Sequence, residues 1–204
     1  MACCNPQFIH KINGFSYQLP CGYCLNCRKD KQQYYIDRAE YELKKRVTAS
    51  FVTFTYDDNW NILLNSVKNP LGGFEYDVTS DGSLVPRFTL NYKHLTYFIE
   101  SIRHFIKSHP NIQNIMCQPD FSYLYVGEYG DLFKRNHFHI LFFGLDFAYC
   151  KKLIFSKWKY GFIDVLPVLD GAIRYVVKYM DKQVFGESAE ILYDLKGLER
   201  PKIC

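Results

Sequence analysis

The alternation of apolar and polar residues divides the chain from residue 50 onward into strands and amphipathic helices. Residues 50–56, SFVTFTY, alternate with a period of two, as in a strand with two different faces. Residues 91–110 carry apolar side chains at helical spacing, and Pro110 ends that pattern. Similar patterns predict strands at 121–128, 137–144 and 162–169 and helices at 28–46, 148–161 and 171–183, with Gly161 closing one helix and Asp170 capping another.

The order of these elements from residue 50 is β-α-β-β-α-β followed by a C-terminal helix. This is the split βαβ order of a ferredoxin-like α+β fold. It predicts an antiparallel sheet with helices on one face, a second face open to a ligand, and central positions for the first and third strands. Pro167 favours an edge position for the last strand. We expect a cysteine-rich metal-binding segment with a basic helix at 1–48, a main domain at 49–185 and a tail of unknown role at 186–204.

Composition narrows the class of protein. The chain is 48% hydrophobic and 18% aromatic, as in globular proteins, and its net charge of +4 permits a polyanionic partner without requiring one. No apolar run has the length of a membrane span, and the first ten residues lack the layout of a signal peptide. We therefore expect a cytoplasmic location, in which the eight cysteines stay reduced or bind metal. Residues 57–88 predict a long insertion, to which no role is assigned.

Two histidines at the start of an apolar strand form the first candidate site. His137 and His139 are two residues apart, so their side chains share one face of the strand. If the preceding hairpin is symmetric about its turn, Glu128 lies opposite His137. Two imidazoles and a carboxylate suit Mn²⁺ or Mg²⁺. The histidine pair alone is a weak signal, because strand-end histidines are also common as partners of backbone or solvent.

Two tyrosines in the last helix form the second candidate site. Tyr175 and Tyr179 are four residues apart and so share one helix face, with Lys178 beside them. A tyrosine becomes a useful nucleophile when a metal polarises the target phosphate and a lysine favours the phenolate. With 17 tyrosines in the chain, such a pair also arises by chance, and one of the two can instead pack against the sheet.

A cysteine run near the N-terminus forms the third candidate site. Cys21, Cys24 and Cys27 have the two-residue gaps that are typical of structural zinc sites. The run requires a distant fourth ligand, for which Cys4 is the first choice, followed by Cys3 and His10. An iron–sulfur cluster and three reduced cysteines are the alternatives.

These motifs in this order resemble those of the HUH endonuclease superfamily, in particular the rolling-circle replication initiators of microviruses, which are small single-stranded DNA phages. FVTFTY is similar to the first motif, HFHILFFG to the His-hydrophobic-His motif, and YVVKYMDK to a Y-x-x-K motif with a second tyrosine. GEYGDLFKRNHFH resembles the phage version in which a glutamate completes the metal site, and PCGYCLNCRKDK resembles the cysteine-rich start. The chain ends earlier than the resemblance leads us to expect, as a truncated product would.

The resemblance implies a site-specific single-stranded DNA nickase and strand transferase, with residues 49–185 as the endonuclease domain. A divalent ion held by Glu128, His137 and His139 polarises the phosphate, and one tyrosine attacks to give a 5′-phosphotyrosine and a free 3′-OH. The second tyrosine acts in the closing step. The implied partners are single-stranded origin DNA and the host helicase and polymerase.

Contact with DNA is also expected from the sequence itself. Lys134 and Arg135 lie in the turn beside the histidines, where they can contact phosphate, and aromatic side chains on the open sheet face can stack on bases. The alternatives are an HUH relaxase or transposase of a mobile element, and a non-catalytic ferredoxin-like nucleic-acid-binding module. The latter predicts exposed aromatic side chains on the first and third strands.

Overall fold

The computed structural model describes most of the chain outside the 57–88 segment. The described residues are 2–10, 14–46, 48–57, 60, 67–68, 74–75, 77–78, 84–85, 89–111, 120–130, 135–169, 171–182, 187–194 and 197–204. The strands are β1 Gln7–His10, β2 Ser16–Leu19, β3 Ala49–Tyr56, β4 Val67–Lys68, β5 Phe74–Glu75, β6 Asp77–Val78, β7 Leu84–Val85, β8 Ser122–Tyr129, β9 Asn136–Phe143 and β10 Gly161–Pro167. The helices are α1 Leu25–Lys45, α2 Tyr92–Ser108, α3 Phe147–Lys157, α4 Ala172–Lys178, a 3-10 helix Tyr179–Lys182, α5 Glu187–Ala189 and a π-helix Glu190–Asp194.

The main sheet has the predicted ferredoxin-like topology. Its four strands lie in the order β10-β3-β9-β8, and every neighbouring pair is antiparallel. β3 and β9 are therefore central, as the element order predicts, and β10 is an edge strand that ends at Pro167. The α+β prediction is confirmed.

The two faces of this sheet are covered by different helices. α2 and α3 pack on the face that carries Val52, Phe54, Phe138 and Ile140, all completely buried. α1 and α4 pack on the opposite face, against side chains of β8 and β9. The second face is thus less open than the sequence predicts, because these two helices cover part of it, while β10 at the far edge stays more exposed.

Helix α1 begins earlier than expected, and α3 ends earlier. α1 starts at Leu25, so Cys27 lies in its first turn and the cysteine run leads directly into the helix. α3 ends at Lys157, and Gly161 is the first residue of β10, so the prediction that Gly161 closes the helix is wrong. The reason is the burial of Trp158 against Phe54, which turns the chain into the core before the strand begins.

A glycine is required at position 161 because the backbone of β3 lies very close. Gly161 has φ +148°, and a Cβ there would be 2.3 Å from the backbone of Thr55 and Asp57. Its helix-ending character in the sequence is therefore a signal of close strand packing.

Two other segments add to the domain. The backbone of Cys204 exchanges two hydrogen bonds with that of Tyr125, so the residues before Cys204 run along the outer edge of β8. In the 57–88 segment, β4 pairs with β5 and β6 with β7, while most of that predicted insertion lies outside the described residues. None of the helices in the described part of the chain is long and apolar enough to cross a membrane.

Candidate functional site

The hairpin of β8 and β9 has the register that brings Glu128 to the histidines. Glu128 pairs directly with His137, as a symmetric hairpin predicts. The carboxylate also reaches the neighbouring histidine, with Oε1 3.3 Å from Nε2 of His139. Glu128 and His139 are only 9% and 6% exposed, so this contact lies under α4 in a largely dehydrated position.

Each histidine is held from the other side by a threonine of β3. Thr53 pairs with His139 and Thr55 with His137, and in both pairs the threonine Oγ1 lies 3.0 Å from the histidine Nδ1. Sequence reasoning missed these partners, although the Thr-x-Thr alternation in FVTFTY carries the signal. The two contacts use Nδ1 of each ring and leave Nε2 as the nitrogen that faces other ligands.

The donor set fits a divalent cation in its chemistry. Glu128 offers a carboxylate, and His137 and His139 offer imidazoles whose Nδ1 atoms are already hydrogen-bonded, as in most protein metal sites. Burial lowers the pKa of His137, and the neighbouring His139 acts in the same direction, so the neutral form that binds metal is favoured.

The positions of the three side chains are looser than a bound ion requires. Among the residues that the structure describes, the group whose potential ligand atoms all lie within 4.8 Å of one another is a set of cysteines. The His137 and His139 rings are 6.4 Å apart, and a Cβ on Gly130 would lie 3.1 Å from Nε2 of His137. His137 therefore has to approach the Glu128–His139 pair when an ion binds.

The two tyrosines lie directly beside the second histidine. Tyr175 is in α4, and Tyr179 begins the 3-10 helix that follows, so the predicted single helix over 171–183 changes geometry between them. Their hydroxyl oxygens are 2.6 Å apart. The Tyr179 ring stacks on His139 at a centroid distance of 4.7 Å, and the Tyr175 ring lies 6.0 Å from it, edge-on.

Packing and access are divided between these two rings. Tyr179 is partly buried against the second core, whereas Tyr175 is 48% exposed. Both phenols thus stay close to the histidines, and at least one is open to a ligand from solvent.

The basic residues predicted beside the site are less closely engaged. Lys178 is exposed at the end of α4, and its role in stabilising a phenolate stays a prediction. Arg135 Nη1 donates a hydrogen bond of 3.5 Å to the carbonyl of Tyr56. Lys134 and Asp170 lie outside the described residues.

An exposed aromatic side chain continues the row of the histidines across the sheet. Phe162 of β10 pairs with Thr55, which pairs with His137, so all three side chains lie on one face in register. Phe162 is 65% exposed, and strand spacing puts it about 10 Å from His137. A base two strands away from the histidines can stack there.

The cysteine group forms at the start of α1. The sulfur atoms of Cys3, Cys21, Cys24 and Cys27 all lie within 4.8 Å of one another. Cys21 and Cys27 have their sulfurs 3.9 Å apart, as do Cys24 and Cys3. A tetrahedral zinc ion with bonds of about 2.3 Å holds its sulfurs about 3.8 Å apart, so this group can hold a metal ion.

The fourth member of this group is Cys3, which corrects the choice of Cys4. The Cys3 sulfur accepts a hydrogen bond from the backbone N–H of Cys21, 3.2 Å away. Cys4 is exposed, and its sulfur lies 3.4 Å from the side-chain nitrogen of Asn26. Adjacent residues of an extended segment point in opposite directions, so only one of the two can face the cluster. His10, the other alternative, lies in β1 and is not part of the group.

The ionisation of the thiols is shaped by backbone donors and by mutual repulsion. Hydrogen bonds from the backbone of Cys27 and Cys4 lower the pKa of Cys24 to about 6. A backbone hydrogen bond from Gly22 acts to lower the pKa of Cys27, but burial and the neighbouring cysteines outweigh it and raise that pKa to about 12. A second and third thiolate are therefore costly unless a cation neutralises them.

Comparison with known proteins identifies the family. The model of the replication-associated protein ORF2 family matches residues 49–184. The chain belongs to this family. The matched residues include the histidine pair, Glu128 and both tyrosines, and they nearly coincide with the predicted domain at 49–185.

Curated relatives come from three phages. The chain is 25% identical to replication-associated protein ORF4 of Chlamydia phage 1, over 85% of this chain and 40% of that protein. It is 26% identical to replication-associated protein ORF2 of Spiroplasma virus 4, over 81% of this chain and 48% of the relative. It is 24% identical to replication-associated protein VP4 of Bdellovibrio phage phiMH2K, over 83% and 50% respectively.

These matches confirm the resemblance to microvirus replication initiators. The chain spans 40–50% of the length of these relatives. No solved structure matches the chain.

Proposed function

We propose that this protein is a site-specific single-stranded DNA nickase and strand transferase that initiates rolling-circle replication. The observation that carries the proposal is the convergence of two tyrosines on one face of a histidine. The Tyr179 ring is 4.7 Å from His139, the Tyr175 and Tyr179 hydroxyls are 2.6 Å apart, and Glu128 lies 3.3 Å from the same histidine. A nucleophile pair beside a buried carboxylate–imidazole pair suits phosphoryl transfer.

Glu128, His137 and His139 would hold a Mn²⁺ or Mg²⁺ ion, which, when bound, supplies positive charge to the non-bridging oxygens of the scissile phosphate. The oxygen of one tyrosine forms the new bond to phosphorus, and the bond to the 3′ oxygen breaks. The 3′ oxygen takes up a proton and leaves as a 3′-OH, and the phenolic proton passes to water. The product is a 5′-phosphotyrosine on the protein.

The hydrogen bond between the two tyrosines helps the attacking oxygen. When either Tyr175 or Tyr179 loses its proton, the other hydroxyl donates to the phenolate at 2.6 Å. The same proximity lets the second tyrosine cleave a regenerated origin after one round of synthesis. The free 3′-OH of the displaced strand then attacks the first ester and releases a closed circle.

The partners follow from this chemistry. Single-stranded origin DNA is the substrate, a host polymerase extends the 3′-OH, and a host helicase opens the duplex ahead of it. We place these events in the cytoplasm of a bacterial host, which is where a phage replicates its genome.

The non-catalytic alternative is less consistent with the central strands. It predicts exposed aromatic side chains on β3 and β9, both of which are described over their full length. On β3 the side chains alternate between half-buried and buried, and on β9 every side chain except that of His137 is buried. The central strands instead offer threonines and histidines to the second face.

The test is the capture of a covalent intermediate. The protein is incubated with Mn²⁺ and labelled single-stranded oligonucleotides from the replicon that encodes it, and adducts are resolved on a denaturing gel. We expect an adduct that EDTA abolishes and that the double change Tyr175→Phe/Tyr179→Phe removes. Tyr97→Phe is the matched control, since this tyrosine is also well exposed but lies on α2. No adduct with any origin sequence, or an adduct that survives the double change, refutes the mechanism.

We also propose that Cys3, Cys21, Cys24 and Cys27 bind a structural zinc ion. The ion would tie the exposed β1–β2 hairpin to the first turn of α1. Metal analysis of freshly purified protein is expected to find one zinc per chain. An iron–sulfur cluster would instead give iron, sulfide and visible absorption, and the absence of both metals would refute the proposal.

A further inference from the structure

Two threonines contact the two histidines of the site in an identical way. Thr53 and Thr55 alternate on the same face of β3, and each pairs directly with one histidine of β9. In both pairs the hydroxyl oxygen is 3.0 Å from Nδ1 of the opposite ring. A repeated contact with the same atoms on both sides indicates a common task.

We propose that Thr53 and Thr55 are positioning residues that hold the imidazoles of His139 and His137 with Nε2 directed toward the divalent cation. This inference rests on the metal site of the proposed function. It adds a second layer of hydrogen bonds on the strand opposite the ligands. Such partners orient a ligating histidine and fix which nitrogen carries the proton.

A hydroxyl is suited to this task because it serves either tautomer. The 3.3 Å contact between His139 Nε2 and Glu128 Oε1 places a proton on Nε2, and a neutral ring then accepts at Nδ1 from the Thr53 hydroxyl. A cation on Nε2 requires the proton on Nδ1, which then donates to the same oxygen. Threonine is both donor and acceptor, so the ring keeps its orientation while the proton changes place.

Burial makes this support more effective. Thr53 and Thr55 are half-buried between β10 and β9, and His139 lies under the ring of Tyr179. Water is therefore a poor substitute for a lost hydroxyl at His139. At His137, which is more exposed, the same substitution is expected to have a smaller effect.

The test measures metal binding without DNA. Thr53→Val and Thr55→Val keep the shape of the side chain and remove the hydroxyl, and Thr→Ser variants restore it. Mn²⁺ affinity is measured on zinc-loaded protein from the loss of the free-ion EPR signal. We expect the double valine variant to bind Mn²⁺ about 10–100-fold more weakly, with Thr53→Val the larger single effect and with near-normal affinity in the serine variants.

A control and a spectroscopic readout separate positioning from folding. Thr96→Val removes a hydroxyl that is bonded to a helix carbonyl on α2, and we expect it to leave Mn²⁺ affinity unchanged. Circular dichroism checks that each variant is folded. In ¹⁵N NMR of labelled histidine with Zn²⁺ as a diamagnetic ion, the wild type is expected to show one fixed tautomer for each ring, and the double valine variant a mixture.

Equal Mn²⁺ affinity in the wild type and the double valine variant would overturn the inference, as would wild-type protein that binds no Mn²⁺ at this site. These results are separable from failure of the proposed function. If the valine changes weaken Mn²⁺ binding but the wild type forms no covalent DNA adduct, the positioning role stands and the nickase proposal falls.

Discussion

The choice between Cys3 and Cys4 as the fourth cysteine ligand gives the sharpest prediction. The two residues are adjacent, and each can be changed to serine with the same loss of one sulfur atom. We expect Cys3→Ser to weaken zinc binding strongly and Cys4→Ser to leave it almost unchanged. The reason is that only the Cys3 sulfur lies within 4.8 Å of the other three.

The size of the effect follows from the number of ligands. Structural zinc sites are worth about 10–16 kcal/mol, so one of four equivalent thiolates accounts for about 3 kcal/mol. That corresponds to about a 100-fold higher Kd for zinc. Cys4 is exposed, and loss of its contact with Asn26 is expected to change the zinc Kd by about twofold or less.

The assay is competition against a chromophoric zinc chelator, with Co²⁺ substitution as a second readout. The charge-transfer absorption of thiolate–Co²⁺ bonds scales with the number of sulfur ligands, so Cys3→Ser should lose about a quarter of it and Cys4→Ser none. Retention of full zinc affinity by Cys3→Ser, together with its loss in Cys4→Ser, would refute the assignment.

Three further predictions concern the sheet. Gly130→Ala places a methyl group 3.1 Å from Nε2 of His137 and should weaken Mn²⁺ binding several-fold by EPR, with unchanged circular dichroism. Phe162→Ala should weaken single-stranded DNA binding in fluorescence anisotropy by about 1–3 kcal/mol if one base stacks there, and unchanged affinity would exclude that platform. Burial lowers the pKa of His94, so the unfolded chain takes up its proton first and stability falls as pH drops below about 6.5. His94→Gln should therefore lose less thermal stability between pH 7 and pH 5, and an equal loss would contradict this.

The predicted site was found where local pattern and topology agree. The period-two pattern of β3 and the hairpin of β8 and β9 are short-range features, and the register that places Glu128 opposite His137 follows from hairpin symmetry. The spacing of Tyr175 and Tyr179 likewise predicts a shared face, which their 2.6 Å contact confirms. These features depend on residues that are close in the chain.

The missed features depend on contacts between distant segments. Thr53 and Thr55 meet the histidines across a strand pair more than 80 residues apart in sequence. Cys3 is separated from Cys21 by a hairpin whose strand β2 is exposed throughout and gives no buried pattern to recognise. α3 ends early because Trp158 is drawn into the core, an effect of packing that helical spacing does not contain.

Local pattern was sufficient for the order of the elements, the faces of β3 and β9 and the identity of the chemistry-bearing residues, because hydrophobic period and residue type are properties of short stretches of chain. Packing between distant segments was needed to establish which cysteine completes the cluster, which hydroxyls support the histidines and how α4 brings its tyrosines over His139. Those outcomes depend on how separate segments meet, because the free energy of burial selects among many chain paths that satisfy the same local pattern.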